Sequence, residues 1–171
     1  MSFEQKVCDQ IPHLRRYARS LCGDVTEAED LLQDCLERAL RKGHLWRTSG
    51  AIRSWLFRLL YNIYLNQRVS ARARRESTAP DAGAALTVDP RQESHVQYCD
   101  AVAAIDILPP EQRAALMLIV LEGPSYKEAA QILGINIGTL RSRVSRARET
   151  LRRHCERDVD RAEDAHLRRV K

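Results

Sequence analysis

A chain of 171 residues and 19.6 kDa allows one ordinary domain or two small ones and excludes a large multidomain enzyme. With 44% hydrophobic but only 5% aromatic residues, two small domains would each have a thin core and would lean on a neighbour or a partner. The net charge of +5 is modest, no apolar run approaches the roughly 18 residues of a membrane span, and the opening MSFEQKVCDQ lacks a secretory layout, so a soluble, cytosolic protein without membrane insertion is expected.

Periodicity is helical almost throughout. Phe3, Val7, Ile11, Leu14, Ala18 and Leu21 recur at three- and four-residue steps, and Pro12 either starts a new helix or kinks one. Gly23 ends this element. Thr26 and Glu29 have capping-box spacing and predict a helix from about Glu27 to Arg41, with Leu32, Cys35, Leu36 and Ala39 facing in. Gly43 to Gly50 reads as a loop. A further helix is expected from about Ala51 to Val69, with Ile52, Trp55, Leu56, Leu59 and Ile63 inward. The pattern then stops: ARARRESTAPDAGAALTVDP is rich in Ala, Pro, Ser and Gly and reads as a flexible linker. Pro90 behind Asp89 resembles a first-turn proline, opening a helix to about Ile107. A break at Pro109 and Pro110 precedes a helix from about Glu111 to Leu121, which stops at Gly123, and two short helices follow. The predicted architecture is all-α: one small helical domain over 1–70, a linker over 71–90, a second small domain over 91–155, and a tail over 156–171.

The two short helices carry the sharpest signal. Ser125 and Glu128 repeat the capping-box spacing, Ala129, Ile132 and Leu133 form a short apolar stripe, Gly134 ends the helix, and Asn136 can cap the next. This is helix, tight turn, helix. In the second helix Leu140, Val144, Ala147 and Leu151 share one narrow face, leaving Arg141, Ser142, Ser145, Arg146, Glu149 and Arg152 around the rest. Such a helix suits the major groove, where a bidentate arginine–guanine contact discriminates by about 1–3 kcal/mol. Thr139 and the helix N-terminus suit phosphates. Of 28 basic residues only four are lysine, a bias that coding composition alone also produces, so position rather than number carries the argument.

The N-terminal half is charged differently. From Asp24 to Glu37 there are six acidic residues and no basic one, with Asp30, Gln33, Asp34 and Glu37 on the outer face. On composition a docking patch and an ordinary solvated face are equally supported, but such a patch repels DNA. The next helix and its flanks carry Trp46, Arg47, Arg53, Arg58, Asn62 and Asn66, then Arg68, Arg72, Arg74 and Arg75, a mixture suited to unpaired bases, where stacking contributes about 1–3 kcal/mol per base. Trp55 lies in the apolar stripe and reads as core; for Trp46, packing and base contact both stay open.

No catalytic or cofactor pattern competes. Cysteines 8, 22, 35, 99 and 155 include no pair at metal-ligand spacing and read as reduced, mostly packed thiols; no metal or cofactor is expected. His13, His44, His95, His154 and His166 are scattered, and no nucleophile elbow or phosphate loop supports a hydrolase. A simple dimeric helix-turn-helix regulator is the nearer rival, but it leaves the acidic helix and the Trp46 to Asn66 group without a role.

DLLQDCLERAL, then SWLFRLLYNIYLN, then LPPEQRAALMLIVLEGPSYKEAAQILGINIGTLRSRVSRARETLRR resemble the bacterial RNA polymerase sigma factors of the extracytoplasmic-function (ECF) group over roughly residues 11 to 153. The opening PHLRRYARSLCGD also resembles the general-stress branch of that group. The resemblance implies a sigma-two-like domain and a sigma-four-like helix-turn-helix domain, a non-enzymatic role in promoter-specific initiation, and control by an anti-sigma factor. It implies core RNA polymerase as partner, through the beta-prime clamp helices and the beta flap, with Asp30, Gln33, Asp34 and Glu37 docking on the clamp helices. Promoter DNA is the second implied partner. Trp46, Arg47, Thr48 and Ser49 match the family's pocket for a flipped base of the minus-ten element, flanked by Arg53, Asn62 and Asn66. Arg141, Ser142, Ser145 and Arg146, with Lys127 and Thr139, match positions facing the minus-thirty-five element as duplex. Many relatives carry an Arg-Gly-Asp-like loop where this chain has Arg47, Thr48 and Ser49, so the identity of the flipped base is not inherited. The tail from Glu156 to Lys171 matches nothing assignable; disorder, extension of the last helix and docking on a regulator all stay open.

Overall fold

The computed structural model describes residues 2–43, 46, 51–77 and 104–169, with side chains described through residue 71 in the fourth helix and through residue 156 in the last. Every regular element among the described residues is helical: α1 (Phe3–Cys8), α2 (Ile11–Cys22), α3 (Val25–Arg41), α4 (Ile52–Ser77), α5 (Pro110–Glu122), α6 (Tyr126–Leu133) and α7 (Ile137–Arg169). A short helical stretch at 104–106 precedes α5.

Local chemistry sets most of the boundaries. Ser2 caps α1 by accepting the Gln5 amide, and Pro12 begins a new helix, as a proline in the first turn forfeits no hydrogen bond. Gly23 closes α2 at φ +75°, a conformation that disfavours any residue with a Cβ. The expected capping box at Thr26 and Glu29 is not what starts α3. Asp24 is the cap, accepting the Glu27 amide at 2.9 Å, and the helix begins two residues earlier than predicted. Aspartate outranks threonine as a cap, and Glu29 is occupied elsewhere, 3.0 Å from both Arg15 and Arg19. Those two arginines hold its carboxyl below the usual range although partial desolvation opposes them.

The helix α4 continues through Ser77, seven residues into the stretch expected as linker, because the alanines and arginines of ARARRES are good helix formers. The remainder of that linker, the Asp89–Pro90 cap and nearly all of the predicted helix from Arg91 to Ile107 lie outside the described residues. Pro109 and Pro110 open α5 and Gly123 ends it; Ser125, accepting the Glu128 amide, opens α6.

The two halves share one continuous core. On the N-terminal side it holds Leu14, Tyr17, Leu21, Leu31, Leu56, Phe57, Leu60 and Tyr64; on the C-terminal side Leu118, Ile132, Leu140, Val144 and Ala147. Helix α5 lies between them and is buried from Arg113 through Leu118, all the way round, as expected of a helix enclosed by neighbours on every side. The packing is tied by polar contacts. Tyr17 donates its hydroxyl to the Ala114 carbonyl at 2.9 Å. Arg113, only 6% exposed, donates to the Leu21 carbonyl at 2.9 Å and pairs with Asp106 at 3.0 Å.

Candidate polymerase and nucleic-acid interfaces

The acidic face is built as the sequence implies. Asp30, Gln33 and Glu37 are exposed along one side of α3, where Gln33 donates its amide to Glu37 at 3.2 Å. Asp34 is half-buried and accepts from Gln67 of α4 at 3.2 Å, so it is anchored where its neighbours are free. Leu40, 55% exposed, continues this face with an apolar contact that polarity-based reasoning missed; a leucine out of phase with the buried stripe is the signal.

The residues expected at the minus-ten element do not gather into one patch. Arg47, Thr48 and Ser49 lie outside the described residues. Trp46 is half-buried, its ring 5.7 Å from Phe3 and with the Lys6 ammonium 5.1 Å over its face. Its indole nitrogen is buried with no hydrogen-bond partner among the described residues. Asn62 and Asn66 are exposed one turn apart on α4. Arg53 is nine positions before Asn62, about half a turn out of phase, and faces the C-terminal domain. There it reaches the side chain and carbonyl of Glu122 rather than open solvent.

The helix-turn-helix is formed as read. Gly134 makes the turn at φ +67°, and the Asn136 carbonyl accepts the Leu140 amide at 3.0 Å. Leu140, Val144 and Ala147 are buried and Leu151 half-buried, which fixes the roll of α7 and leaves Arg141, Ser145 and Arg146 exposed. Ser142 is half-buried and donates its hydroxyl to the Thr139 carbonyl, while Thr139 and Lys127 are exposed. Arg141, Ser145, Arg148 and Arg152 line a shallow groove with Tyr126 and Glu149, whose carboxylate pairs with Arg152 at 2.9 Å. Arg141 and Arg148 leave the groove with a net positive lining beside a helix held by its apolar side.

Arg58, expected among the residues facing unpaired bases, and Arg143 and Glu122, outside the expected sets, join the domains at this point. Arg58 of α4 lines a groove with Gly134, Asn136 and Thr139, at the turn itself, and Arg143 of α7 donates to the Tyr61 hydroxyl at 3.4 Å. Glu122 has the most cross-domain partners of these. It ends α5 with no basic residue in the last turn, and an anion beside the negative end of a helix dipole needs cations from elsewhere. The sequence LEG itself carries that mismatch.

Among the described residues no helix is long and apolar enough to cross a membrane. The arrangement is that of a two-domain helical protein with a sigma-two unit and a sigma-four unit. The model for the sigma-two domain of PhyR matches residues 7–61, and that for sigma-70 region 4 matches residues 100–151. The ECF RNA polymerase sigma factor EcfG of Rhodopseudomonas palustris is 36% identical over 150 residues, covering 88% of this chain and 83% of that protein. SigM, an ECF RNA polymerase sigma factor of Mycobacterium tuberculosis, is 34% identical over 153 residues, covering 89% of this chain and 76% of its own. Among solved structures, the sigma factor RpoE of Bartonella quintana, crystallised with the anti-sigma factor NepR, is 34% identical with a TM-score of 0.72, covering 90% of this chain and 96% of that one. The chain belongs to the ECF RNA polymerase sigma factors.

Proposed function

We propose that this protein is a non-enzymatic, cytoplasmic promoter-specificity subunit: it binds core RNA polymerase, reads the minus-thirty-five element as duplex and holds the minus-ten element as melted strand. The observation that supports this reading best is α7, whose buried Leu140, Val144 and Ala147 leave Arg141, Ser145 and Arg146 on the free side within the region-4 match. In this reading Lys127, Thr139 and Ser142 hold the backbone or neighbouring bases of the upstream element. Residues 1–70 form the polymerase-docking and melting domain, with Asp30, Gln33, Asp34 and Glu37 toward the clamp helices and Trp46, Arg47, Thr48, Ser49, Asn62 and Asn66 toward the separated strand; Arg53, which faces Glu122 in this closed form, joins them only when the domains part. Residues 91–155 form the duplex-reading domain, and the segment between tethers them, which raises the effective concentration of each at its own element once the other is engaged.

An anti-sigma factor is part of the proposal, since the Bartonella relative was crystallised with one, and a stress response is the setting in which such control operates. The test is run-off transcription with purified core polymerase on genomic fragments. Transcripts that begin at discrete sites only when this protein is added are expected; an identical transcript pattern with and without it would end the proposal.

A further inference from the structure

We propose that Glu122 is a latch that closes the two domains on each other and withholds Arg53 from nucleic acid in the free protein; the masking half of this rests on the reading above, the latch itself does not. The Glu122 side chain is only 2% exposed, yet it belongs to a helix end at the domain seam and is covered by three cationic or ionisable side chains of the N-terminal domain. His13 Nδ1 lies 3.0 Å from one carboxylate oxygen, Arg16 donates to the other at 2.6 Å, and Arg53 pairs with the first. The main chain adds to this: Arg16 donates to the Leu121 carbonyl at 2.6 Å and Arg53 to the Glu122 carbonyl at 3.3 Å. The carboxylate and the unsatisfied carbonyls of the α5 C-terminus thus present to Arg16 and Arg53 a concentrated anionic site, the same chemistry a DNA phosphate offers.

The partners keep contact with water: the His13, Arg16 and Arg53 side chains are 41%, 52% and 40% exposed, so the pairing exchanges with solvent instead of being sealed into the core. Around the pin the closure is continued by Ser54 with Glu128 at 3.3 Å and Arg143 with Tyr61, and it sets Arg58 at the helix-turn-helix turn beside Thr139. Closure therefore places Arg53 and Arg58 of α4 against the C-terminal domain. A sigma-type protein must separate its domains to span two promoter elements, so the closed form reduces apparent DNA affinity by the fraction of molecules that are open.

The test measures domain separation and DNA binding independently in the full chain. Spin labels on the exposed Cys8 and Cys155, in a Cys22→Ser, Cys99→Ser background, report the distance between the halves. A dT oligonucleotide of roughly 20 nucleotides probes single-strand binding without a sequence requirement. Glu122→Ala should shift the label distances to longer, broader values and tighten dT binding about threefold or more. Arg16→Ala should do the same, which separates unlatching from charge counting, since losing a positive charge by itself weakens DNA binding. Unchanged distances in both variants, with native helix content by circular dichroism, would overturn the latch. Longer distances with unchanged or weaker dT binding in both would overturn the masking of Arg53. Failure of the wild-type protein in run-off transcription, by contrast, counts against the proposed function and leaves the distance result standing.

Discussion

The Tyr17 hydroxyl meets the main-chain carbonyl of Ala114 at 2.9 Å, joining residues 97 positions apart across the seam of the two domains. Both are fully buried, and burial pushes the Tyr17 phenol well above its usual range, so it remains a donor under all ordinary conditions. Tyr17→Phe keeps the ring against Phe57 and removes this bond, while the Ala114 carbonyl, inside α5, remains placed to accept the helical amide four residues on, so the cost is about 0.5–1.5 kcal/mol. Chemical denaturation should show that loss together with a lower unfolding cooperativity, because this bond couples the halves. An unchanged midpoint and slope would mean that this bond contributes nothing to the coupling of the halves.

Gly134 provides a local test of the helix-turn-helix. At φ +67°, a Cβ is strained, and it would stand 3.4 Å from the Arg58 guanidinium. Gly134→Ala should lower stability by about 1–2 kcal/mol and weaken binding to upstream-element duplex more than to single strands. A thermal melt and paired binding isotherms read both.

The acidic face separates docking from folding. Asp30 and Glu37 are exposed, and replacing both by Ala should leave the melting temperature within about a degree or two, as surface changes away from caps and cores do. Holoenzyme assembly in a pull-down with core polymerase should drop at least severalfold. Asp34→Ala differs, since it also releases Gln67, and should show a small stability loss in addition.

Thiol chemistry reports on the core. Burial pushes the Cys35 thiol up to about 12 and Cys22 to about 11, while Cys8 and Cys155 are exposed. A raised value means that the neutral form dominates throughout the neutral and mildly alkaline range, so Cys35 and Cys22 should resist alkylation at pH 8 in the native state, Cys35 the more strongly. Cys8 and Cys155 should react quickly. Rapid native labelling of Cys35 by mass spectrometry would show that the α3–α4 packing opens far more often than its burial implies.

The helices and their stops were readable because the signals are local: Gly23, Gly123 and Gly134 close helices, Ser125 opens one, and Leu140, Val144 and Ala147 fix the roll of α7. The inward face of α4 is wider than the stripe its period predicts. Phe57, Leu60, Tyr61 and Tyr64 are buried as well, because α4 packs against α2 and α3 on one side and α5 and α6 on the other, a layering no single-helix period reveals. For the same reason Arg53 was grouped with Asn62 and Asn66 by composition, while the half-turn between them sends it to Glu122. Glu29 was credited to a cap because its spacing fits; only the tertiary approach of Arg15 and Arg19 assigns it elsewhere. The family resemblance placed the two domains correctly in kind, but how they press together is a long-range property of the surface residues.

The last helix has a mechanical consequence. Running unbroken from Ile137 to Arg169, its 33 residues measure about 50 Å. Its first turns carry Arg141 and Arg146, and the same hydrogen-bonded backbone continues to the final turn, so a change in the direction of one end is coupled to the other. A torque applied by anything that grips the distal end is delivered, with the leverage of that length, to the orientation of Arg141 and Arg146. Truncating the rod shortens the lever without touching a single side chain in the groove.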